Sequence, residues 1–401
     1  MDATWKKRLA LLPLLTLTAL AGAEEKLKQP FGMRGVEPRV QLRHAFELDP
    51  KAVARPPHAD PEVRQASTDP HHPKSQTLLA LYAEAERLAG RPRPVSDFTD
   101  LIERCRQAQE VLEEQESTGL ARLTSWALNR RGELRVAAGE PREAFEDFQQ
   151  AILLDQQNPA ALLNRGVTLA QYGQPEHASR DFCAAIALDP SGQAAYRNRA
   201  ELRLQQGDFA GATADFSAAL EHGQPDATLY TGRGFAQANL GKAALAAKDY
   251  TAALRLAPGD CETLVLRGSL YAGVGQYENA LTDFTAALES NAESATANRS
   301  TAWLLATCPD KRFHDAELAL EAARRAQQFG DKNDPLVKEA LAAAYAAAGQ
   351  FEIAERLQQQ ALDAAPAQLK AEMGQRLGLY REGRGYVQPR VQIARATDTE
   401  G

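Results

Sequence analysis

The amino-acid sequence predicts an all-α solenoid, a stack of about seven antiparallel helical hairpins. Small and aromatic residues recur with a period of 34 through the middle of the chain, which is typical of repeat proteins. No convincing strand pattern accompanies them. The composition, with 44% hydrophobic and 25% charged residues in a chain of 401, is enough for a sizeable core. These three observations indicate a helical repeat array.

Residues 1–23 are predicted to be a cleaved signal peptide. The cationic residues 6–8 precede an apolar run over residues 9–20, which is shorter than the about 20 residues that a membrane span needs. Residues 21–23, Ala-Gly-Ala, form the small-x-small pattern that a signal peptidase cleaves. We therefore expect cleavage after Ala23, a periplasmic or secreted protein, and no transmembrane span in the mature chain. The alternatives are an uncleaved anchor or a cytoplasmic amphipathic start.

Residues 24–75 are predicted to be a disordered linker, because they are rich in proline and lack apolar periodicity. Four histidines lie in this segment, at His44, His58, His71 and His72. Their spacing matches no closed metal site and no cysteine is near, so we expect no metal there.

Five columns of residues step by 34 in one register and define the repeat. The first column is Gly132, Gly166, Ala200, Gly234 and Gly268, and the second is Gly139, Gly173, Gly207, Gly241 and Gly275. The third is Ala144, Ala178, Ala212, Ala246 and Ala280, the aromatic column is Phe148, Phe182, Phe216, Tyr250 and Phe284, and the last is Ala151, Ala185, Ala219, Ala253 and Ala287.

Each column has a physical role in a helical hairpin. A small residue in the first column lets the second helix approach the first closely. Glycine in the second column ends the first helix, because it adopts the left-handed conformation at little cost. The alanines flanking each aromatic residue give the second helix a face that packs on the first helix. Each hairpin leaves an apolar face that only a neighbouring hairpin can cover.

Elements at both ends extend the array. Residues 76–118 are predicted to be a degenerate helical pair, since Ala83 and Gly90 keep the seven-residue spacing of the first two columns. Residues 119–366 form the solenoid, with an insertion of five residues in the sixth repeat around residues 307–310. In the seventh repeat, Gln358 departs from the aromatic column. Residues 367–385 are predicted to be a capping helix, and residues 386–401 a flexible tail.

The columns resemble the tetratricopeptide repeat family, which has a small residue, Gly, Ala, an aromatic residue and Ala at this spacing. The resemblance implies a right-handed superhelical solenoid. The sequence Trp-Leu-Leu-Ala-Thr-Cys-Pro-Asp at residues 303–310 and Gly-Leu-Tyr-Arg at residues 378–381 are similar to secreted bacterial members of that family. This likeness implies an exported bacterial scaffold and no activity.

Composition and motifs argue against several other functions. A net charge of −7 with a pI of about 5.7 argues against a basic nucleic-acid binder. No dinucleotide-binding or phosphate-binding loop and no His-Glu-x-x-His motif occurs. We expect no enzymatic activity, no cofactor and no metal. The four cysteines, Cys105, Cys183, Cys261 and Cys308, are expected to be buried or idle thiols, although an export compartment would permit a disulfide.

Two charged ladders follow the same 34-residue period. One consists of Arg131, Arg165, Arg199, Arg233 and Arg267, and the other of Asp147, Asp181, Asp215, Asp249 and Asp283. They could form a charged strip that holds a ligand. Equal numbers of opposite charges favour structural pairing instead, because the planar guanidinium suits two hydrogen bonds to one carboxylate.

The resemblance also implies a ligand-facing concave face, formed by positions 2, 5, 9, 12 and 13 of each first helix. The partner-binding residues predicted on this face are Trp126, Asn129, Arg197, Phe235, Arg299 and Trp303. Glu133 and Glu201 stand where the family's clamp for a terminal carboxylate needs Asn, so chaperone-tail capture is not expected. The alternative for Trp126 and Trp303 is that they fill the hairpin interface.

The function predicted from these observations is an exported, non-catalytic scaffold that binds a protein or peptide on its concave face. One alternative is a self-assembling or architectural component of the cell envelope. Another is an accessory subunit of an envelope enzyme complex. The sequence names no specific partner.

Overall fold

The computed structural model describes residues 56–57, 73–89, 93–110 and 114–389. The predicted signal peptide and almost all of the predicted linker lie outside the described residues. The described chain divides into two compact units, one before Asp226 and one from Asp226 onward, which we call the N-terminal unit and the C-terminal unit. In both units all regular secondary structure of the described residues is helical, which confirms the predicted all-α class.

The N-terminal unit contains eight α-helices among its described residues. They are α1 (Pro73–Ala89), α2 (Val95–Gln109), α3 (Glu114–Ala137), α4 (Pro141–Leu154), α5 (Pro159–Gln171), α6 (Pro175–Leu188), α7 (Gln193–Gln205) and α8 (Phe209–His222). The hairpins α3–α4, α5–α6 and α7–α8 stack in chain order, and α1 and α2 pack on α3.

The C-terminal unit contains nine α-helices in the part of it that the structure describes. They are α9 (Ala227–Asn239), α10 (Ala243–Leu256), α11 (Cys261–Gly273), α12 (Tyr277–Ser290), α13 (Ala295–Thr307), α14 (Ala316–Phe329), α15 (Pro335–Ala347), α16 (Phe351–Ala364) and α17 (Ala367–Arg381). Four hairpins stack in chain order, and α17 packs on α16. We call α3, α5, α7, α9, α11, α13, α15 and α17 the first helices.

The second glycine column ends the first helices as predicted. Gly139, for example, has a φ of 80°, its N–H donates to the carbonyl of Val136, and the next N–H donates to the carbonyl of Arg135. This pair of bonds satisfies carbonyl groups that the helix end leaves free. The other positive-φ glycines at such helix ends are Gly173, Gly207, Gly241, Gly275, Gly349 and Gly383.

The first column sets how closely the two helices of a hairpin approach. A Cβ placed on Gly268 would lie 2.7 Å from a ring carbon of Phe284 and 3.2 Å from the carbonyl oxygen of Ala280. Glycine at this position therefore lets the aromatic ring of the second helix rest on the backbone of the first.

The long connection in the sixth repeat folds into the core. After α13 the chain forms a 3₁₀ turn over Lys311–Phe313, and the N–H of Asp315 donates to the carbonyl of Leu305 at 3.2 Å. Phe313 is buried and its ring lies 6.1 Å from that of Tyr277. The inserted residues thus add apolar contacts and lead the chain back to α14.

Replacing Tyr250 with phenylalanine is expected to leave stability unchanged or to raise it by about 1 kcal/mol. Tyr250 is fully buried, and its hydroxyl has no hydrogen-bond partner among the described residues. A buried hydroxyl without a partner loses its hydration without compensation, whereas phenylalanine is the residue that other repeats carry in this column. Urea denaturation of both proteins tests this. A loss of more than about 1 kcal/mol would show that the hydroxyl has a structural partner.

Candidate binding face of the first helices

Most of the predicted binding residues are buried, whereas the residues of a free binding surface are exposed. Trp126 and Phe235 are 5% exposed, and Asn129 and Arg299 are also buried. The expectation that these four side chains are exposed is therefore wrong. Arg197 and Trp303 are half-buried. Whether any of the six contacts a partner stays a prediction.

The cause of this burial is direct packing between neighbouring elements. The ring of Trp126 lies 5.8 Å from that of Phe98 on α2, edge to face, so it belongs to the core where α2 meets α3. The Oδ1 atom of Asn129 accepts a hydrogen bond of 3.0 Å from Asn164 on the next first helix. Arg299 on α13 lies 3.7 Å from the carboxylate of Asp334, which caps α15.

A polar cluster joins α3 and α5 in the N-terminal unit. Glu133 accepts hydrogen bonds of 3.0 Å from both Asn129 and Asn164 and pairs with Arg130. Its carboxylate is mostly buried. Burial raises the pKa of Glu133 to about 7, against the opposing influence of Arg130 and the two asparagines.

The stability of the N-terminal unit is expected to fall as the pH rises from about 4.5 to about 7. A raised pKa means that the folded state binds the Glu133 proton more tightly than the unfolded state does, so the stability from this group is complete below about pH 4.5 and is lost above about pH 7. Glu133→Gln, which stays neutral, is expected to reduce this slope. Urea unfolding of the unaltered protein and of Glu133→Gln at about pH 5 and about pH 8 tests this prediction. An equal change in the free energy of unfolding with pH in the two proteins would show that Glu133 titrates normally.

The two charged ladders lie side by side. Each arginine of the ladder donates through Nε and Nη2 to the two oxygens of the aspartate sixteen residues later, at 2.6–3.0 Å. Asp147 and Asp215 also accept from a second arginine, Arg135 at 2.7 Å and Arg203 at 2.6 Å. All five aspartates are buried, and each joins the two helices of its own hairpin.

Arg199→Ala is expected to lower the free energy of unfolding by about 1 kcal/mol or somewhat more. Asp215→Ala is expected to lower it further, because both Arg199 and Arg203 then lose their carboxylate. The double variant should lose less than the sum of the two, since the residues touch. Denaturation of the four proteins of this cycle measures the coupling. Additive losses would show that the pair contributes no interaction of its own.

A second cluster lies near the end of the array, in the C-terminal unit. Glu339 on α15 is buried, pairs with the buried Arg376 of α17, and accepts a hydrogen bond of 3.3 Å from Gln358. The Nε2 atom of Gln358 also lies 3.1 Å from the carbonyl oxygen of Met373. Gln358, which replaces the aromatic residue of this column, thus links this carboxylate to α17.

Arg376 also contacts two aromatic rings. Its guanidinium carbon lies 5.0 Å from the ring centroid of Trp303 and 4.8 Å from that of Tyr386. The two rings are 5.9 Å apart. A cation within about 6 Å of aromatic ring centroids is stabilised by the negative faces of those rings.

Tyr386 belongs to an extended segment that follows α17. We call residues 384–389 the C-terminal segment. The backbone N–H of Gln388 donates to the carbonyl of Thr307, the last residue of α13, at 2.8 Å. Tyr386 and Gln388 are half-buried, whereas Gly385, Val387 and Pro389, which alternate with them, are exposed. This alternation is the pattern of an extended strand with one face on a surface.

Sequence reasoning missed Glu339, Arg376 and Tyr386. One signal was available: Arg376 lies seven residues before Gly383, so it occupies a place in the first column that other repeats fill with Gly or Ala. The departure of Gln358 from the aromatic column was a second signal. Together, these two departures from the repeat pattern indicate a polar site at the last hairpin.

The described residues offer little for redox or metal chemistry. No group of three or more metal-binding side chains occurs in this part of the chain. All four cysteines are free thiols, two of them buried, and burial raises the pKa of Cys105 and Cys308 to about 11. Cys183 is exposed. Within the same residues, no helix has the length and hydropathy for a membrane crossing.

Comparisons with known proteins agree with the repeat. Residues 129–193, 168–227, 197–260 and 265–307 match the family model described as tetratricopeptide repeat. No curated protein matches the chain.

Several solved structures are similar in fold. MamA is 22% identical, with a TM-score of 0.38, over 41% of this chain and 96% of that one. YrrB, described as a TPR protein with an unusual peptide-binding site, is 20% identical, with a TM-score of 0.36, over 58% and 98%. PilF of Pseudomonas aeruginosa is 16% identical, with a TM-score of 0.44, over 51% and 90%. No conclusion about the function of this chain follows from structural likenesses with such low TM-scores.

The assignment therefore depends on the sequence match and on the hairpins. The four matched stretches contain the 34-residue columns, and the glycines of the first two columns have the close approach and the positive φ that their residue type predicts. Residues 129–260 and 265–307 of the chain therefore consist of tetratricopeptide repeats.

Proposed function

We propose that the protein is an exported, non-catalytic scaffold that binds an extended segment of a protein partner on the face of its first helices. The observation that carries this proposal is the C-terminal segment, which lies extended on that face with one side chain in two turned inward and a main-chain hydrogen bond to α13. These two features are how extended peptides are recognised in general.

The chemistry of the face supports a protein ligand. Half-buried Trp303 and Arg197 are large side chains of the types that dominate binding energy at protein interfaces. Each ladder arginine is paired with a buried aspartate, so the ladders present no strip of free positive charge for a nucleic acid or an anionic surface. Export is supported by the pattern of residues 1–23.

Site-specific photo-crosslinking tests the face. A benzophenone amino acid is placed at Gln171 or Gln205, exposed residues at the last groove position of α5 and α7. Matched controls carry it at Arg180 on α6 or Ala214 on α8, exposed residues of second helices. After incubation with the exported protein fraction, we expect crosslinked partners from the first-helix positions. Crosslinks from only the second-helix positions would place the partner on the opposite face and overturn the proposal.

Exposed leucines favour a second candidate, self-assembly. Leu153, Leu188 and Leu256 lie in the last turns of second helices and are 64%, 42% and 51% exposed. Apolar side chains on an outer surface can join copies of a chain. Mass measurement in solution at rising protein concentration separates the candidates: a constant monomer mass contradicts assembly, and a growing series of oligomers supports it.

A further inference from the structure

α17 is the last helix of the described residues. This helix closes like the other first helices, with Gly383 at a φ of 67° and the N–H of Arg384 bonded to the carbonyl of Leu379. A second helix needs a small residue seven positions before that glycine, so that its aromatic ring can rest on the backbone. Arg376 stands there instead, and its long side chain takes up room beside α17. The chain continues as the extended C-terminal segment.

The segment follows the ends of successive first helices. A Cβ placed on Gly383 would lie 4.0 Å from the ring of Phe351, and one on Gly385 would lie 4.0 Å from the carbonyl oxygen of Ala346, at the end of α15. Tyr386 then reaches Trp303 on α13, and Gln388 donates to Thr307 at the end of that helix. In a few residues the segment passes from α17 across α15 to α13.

The surface under Tyr386 is built independently of the segment. Arg376 is held by the buried carboxylate of Glu339, and its guanidinium carbon lies 5.0 Å from the ring centroid of Trp303, so neither contact involves a residue of the segment. The indole nitrogen of Trp303 is buried and has no hydrogen-bond partner among the described residues. A ligand with a nearby acceptor could therefore satisfy a donor that the C-terminal segment leaves unused.

We propose that the C-terminal segment is an internal ligand, which occupies in the free protein the site that an extended peptide of the partner uses. The partner peptide carries an aromatic residue that stacks on Arg376 beside Trp303, and two positions later a residue whose backbone N–H bonds to Thr307. This inference depends on the proposed peptide-binding function and adds the class of ligand. Partner binding then requires displacement of residues 384–389.

A labelled peptide tests the proposal directly. The probe is a fluorescein-labelled synthetic peptide with the sequence of residues 383–392, and its binding is measured by fluorescence anisotropy. The proteins are the full chain without residues 1–23, its Tyr386→Ala variant and its Val387→Ala variant. The last is the matched control, because Val387 is the adjacent residue and its side chain is 50% exposed.

An attached segment acts at an effective concentration in the millimolar range, so it competes strongly with a free peptide of the same sequence. We expect Tyr386→Ala to bind the probe at least about tenfold more tightly than the unaltered chain, and Val387→Ala to bind like the unaltered chain. A second variant, ending at Gly383, keeps all of α17 and should show the same gain. Circular dichroism verifies that each protein is folded.

Two outcomes would overturn the proposal. If every folded protein binds the probe equally well, the segment does not occupy the site in solution. If none binds it, the segment is not a ligand for this face. If no protein binds the probe, the proposed scaffold function is still testable, because photo-crosslinking at Gln171 and Gln205 does not depend on this peptide.

Discussion

Replacing Arg376 with alanine is expected to lower the free energy of unfolding of the C-terminal unit by about 3–5 kcal/mol. The substitution leaves the buried carboxylate of Glu339 without its cation, and Gln358 alone cannot compensate for the lost hydration. It also removes the guanidinium that packs against Trp303 and Tyr386. Guanidinium chloride unfolding, monitored by circular dichroism, measures the loss.

The matched control for this prediction is Arg381→Ala in the same helix. Arg381 pairs with Glu355 at 2.9 Å, but the two side chains are 54% and 42% exposed, so the loss should be only about 0–1 kcal/mol. Replacing both members of the buried pair, Arg376→Met with Glu339→Met, should cost less than Arg376→Ala because no buried charge remains. Equal losses for Arg376→Ala and Arg381→Ala would contradict the role assigned to the buried pair.

Phe284→Ala is the second substitution with a large expected effect, again about 3–5 kcal/mol. Phe284 is 2% exposed and its ring rests on the backbone of α11 at Gly268. Removing the ring leaves a cavity at the centre of the hairpin, because neither helix can move inward without disturbing the neighbouring hairpins. Thermal and denaturant unfolding both report the change.

Thr282→Ala serves as the control on the same helix. Thr282 is exposed, and the bond that its hydroxyl donates is to the carbonyl of Glu278, one turn earlier. Its replacement should change stability by no more than about 0.5 kcal/mol. A loss for Phe284→Ala as small as this would show that the hairpin collapses around the missing ring and that the aromatic column is not what holds the helices together.

Much of the fold could be predicted from the sequence because the same local contacts recur in every repeat. A glycine seven residues after a small residue ends a helix through its own backbone freedom, and no distant residue is needed to explain it. The closeness of Phe284 to Gly268 follows from the same period. So does the encounter of Arg199 with Asp215, since a fixed spacing in a helical hairpin places the two side chains opposite each other.

The candidate site could not be predicted to the same extent, because exposure depends on what covers a residue. Trp126 was assigned to a binding face by its position in the repeat, yet α2 packs against its ring, and nothing in the repeat period encodes α2. Phe235 is likewise buried within the C-terminal unit.

The sequence by itself determined the helical hairpins and the Arg–Asp pairing, because these depend on contacts at a constant separation along the chain. Only the tertiary structure decided which residues form the polar and aromatic cluster near the end of the array. Trp303, Glu339, Arg376 and Tyr386 come from α13, α15, α17 and the segment beyond it, at separations that follow no period. They meet because residues 384–389 pass from α17 over α15 to α13.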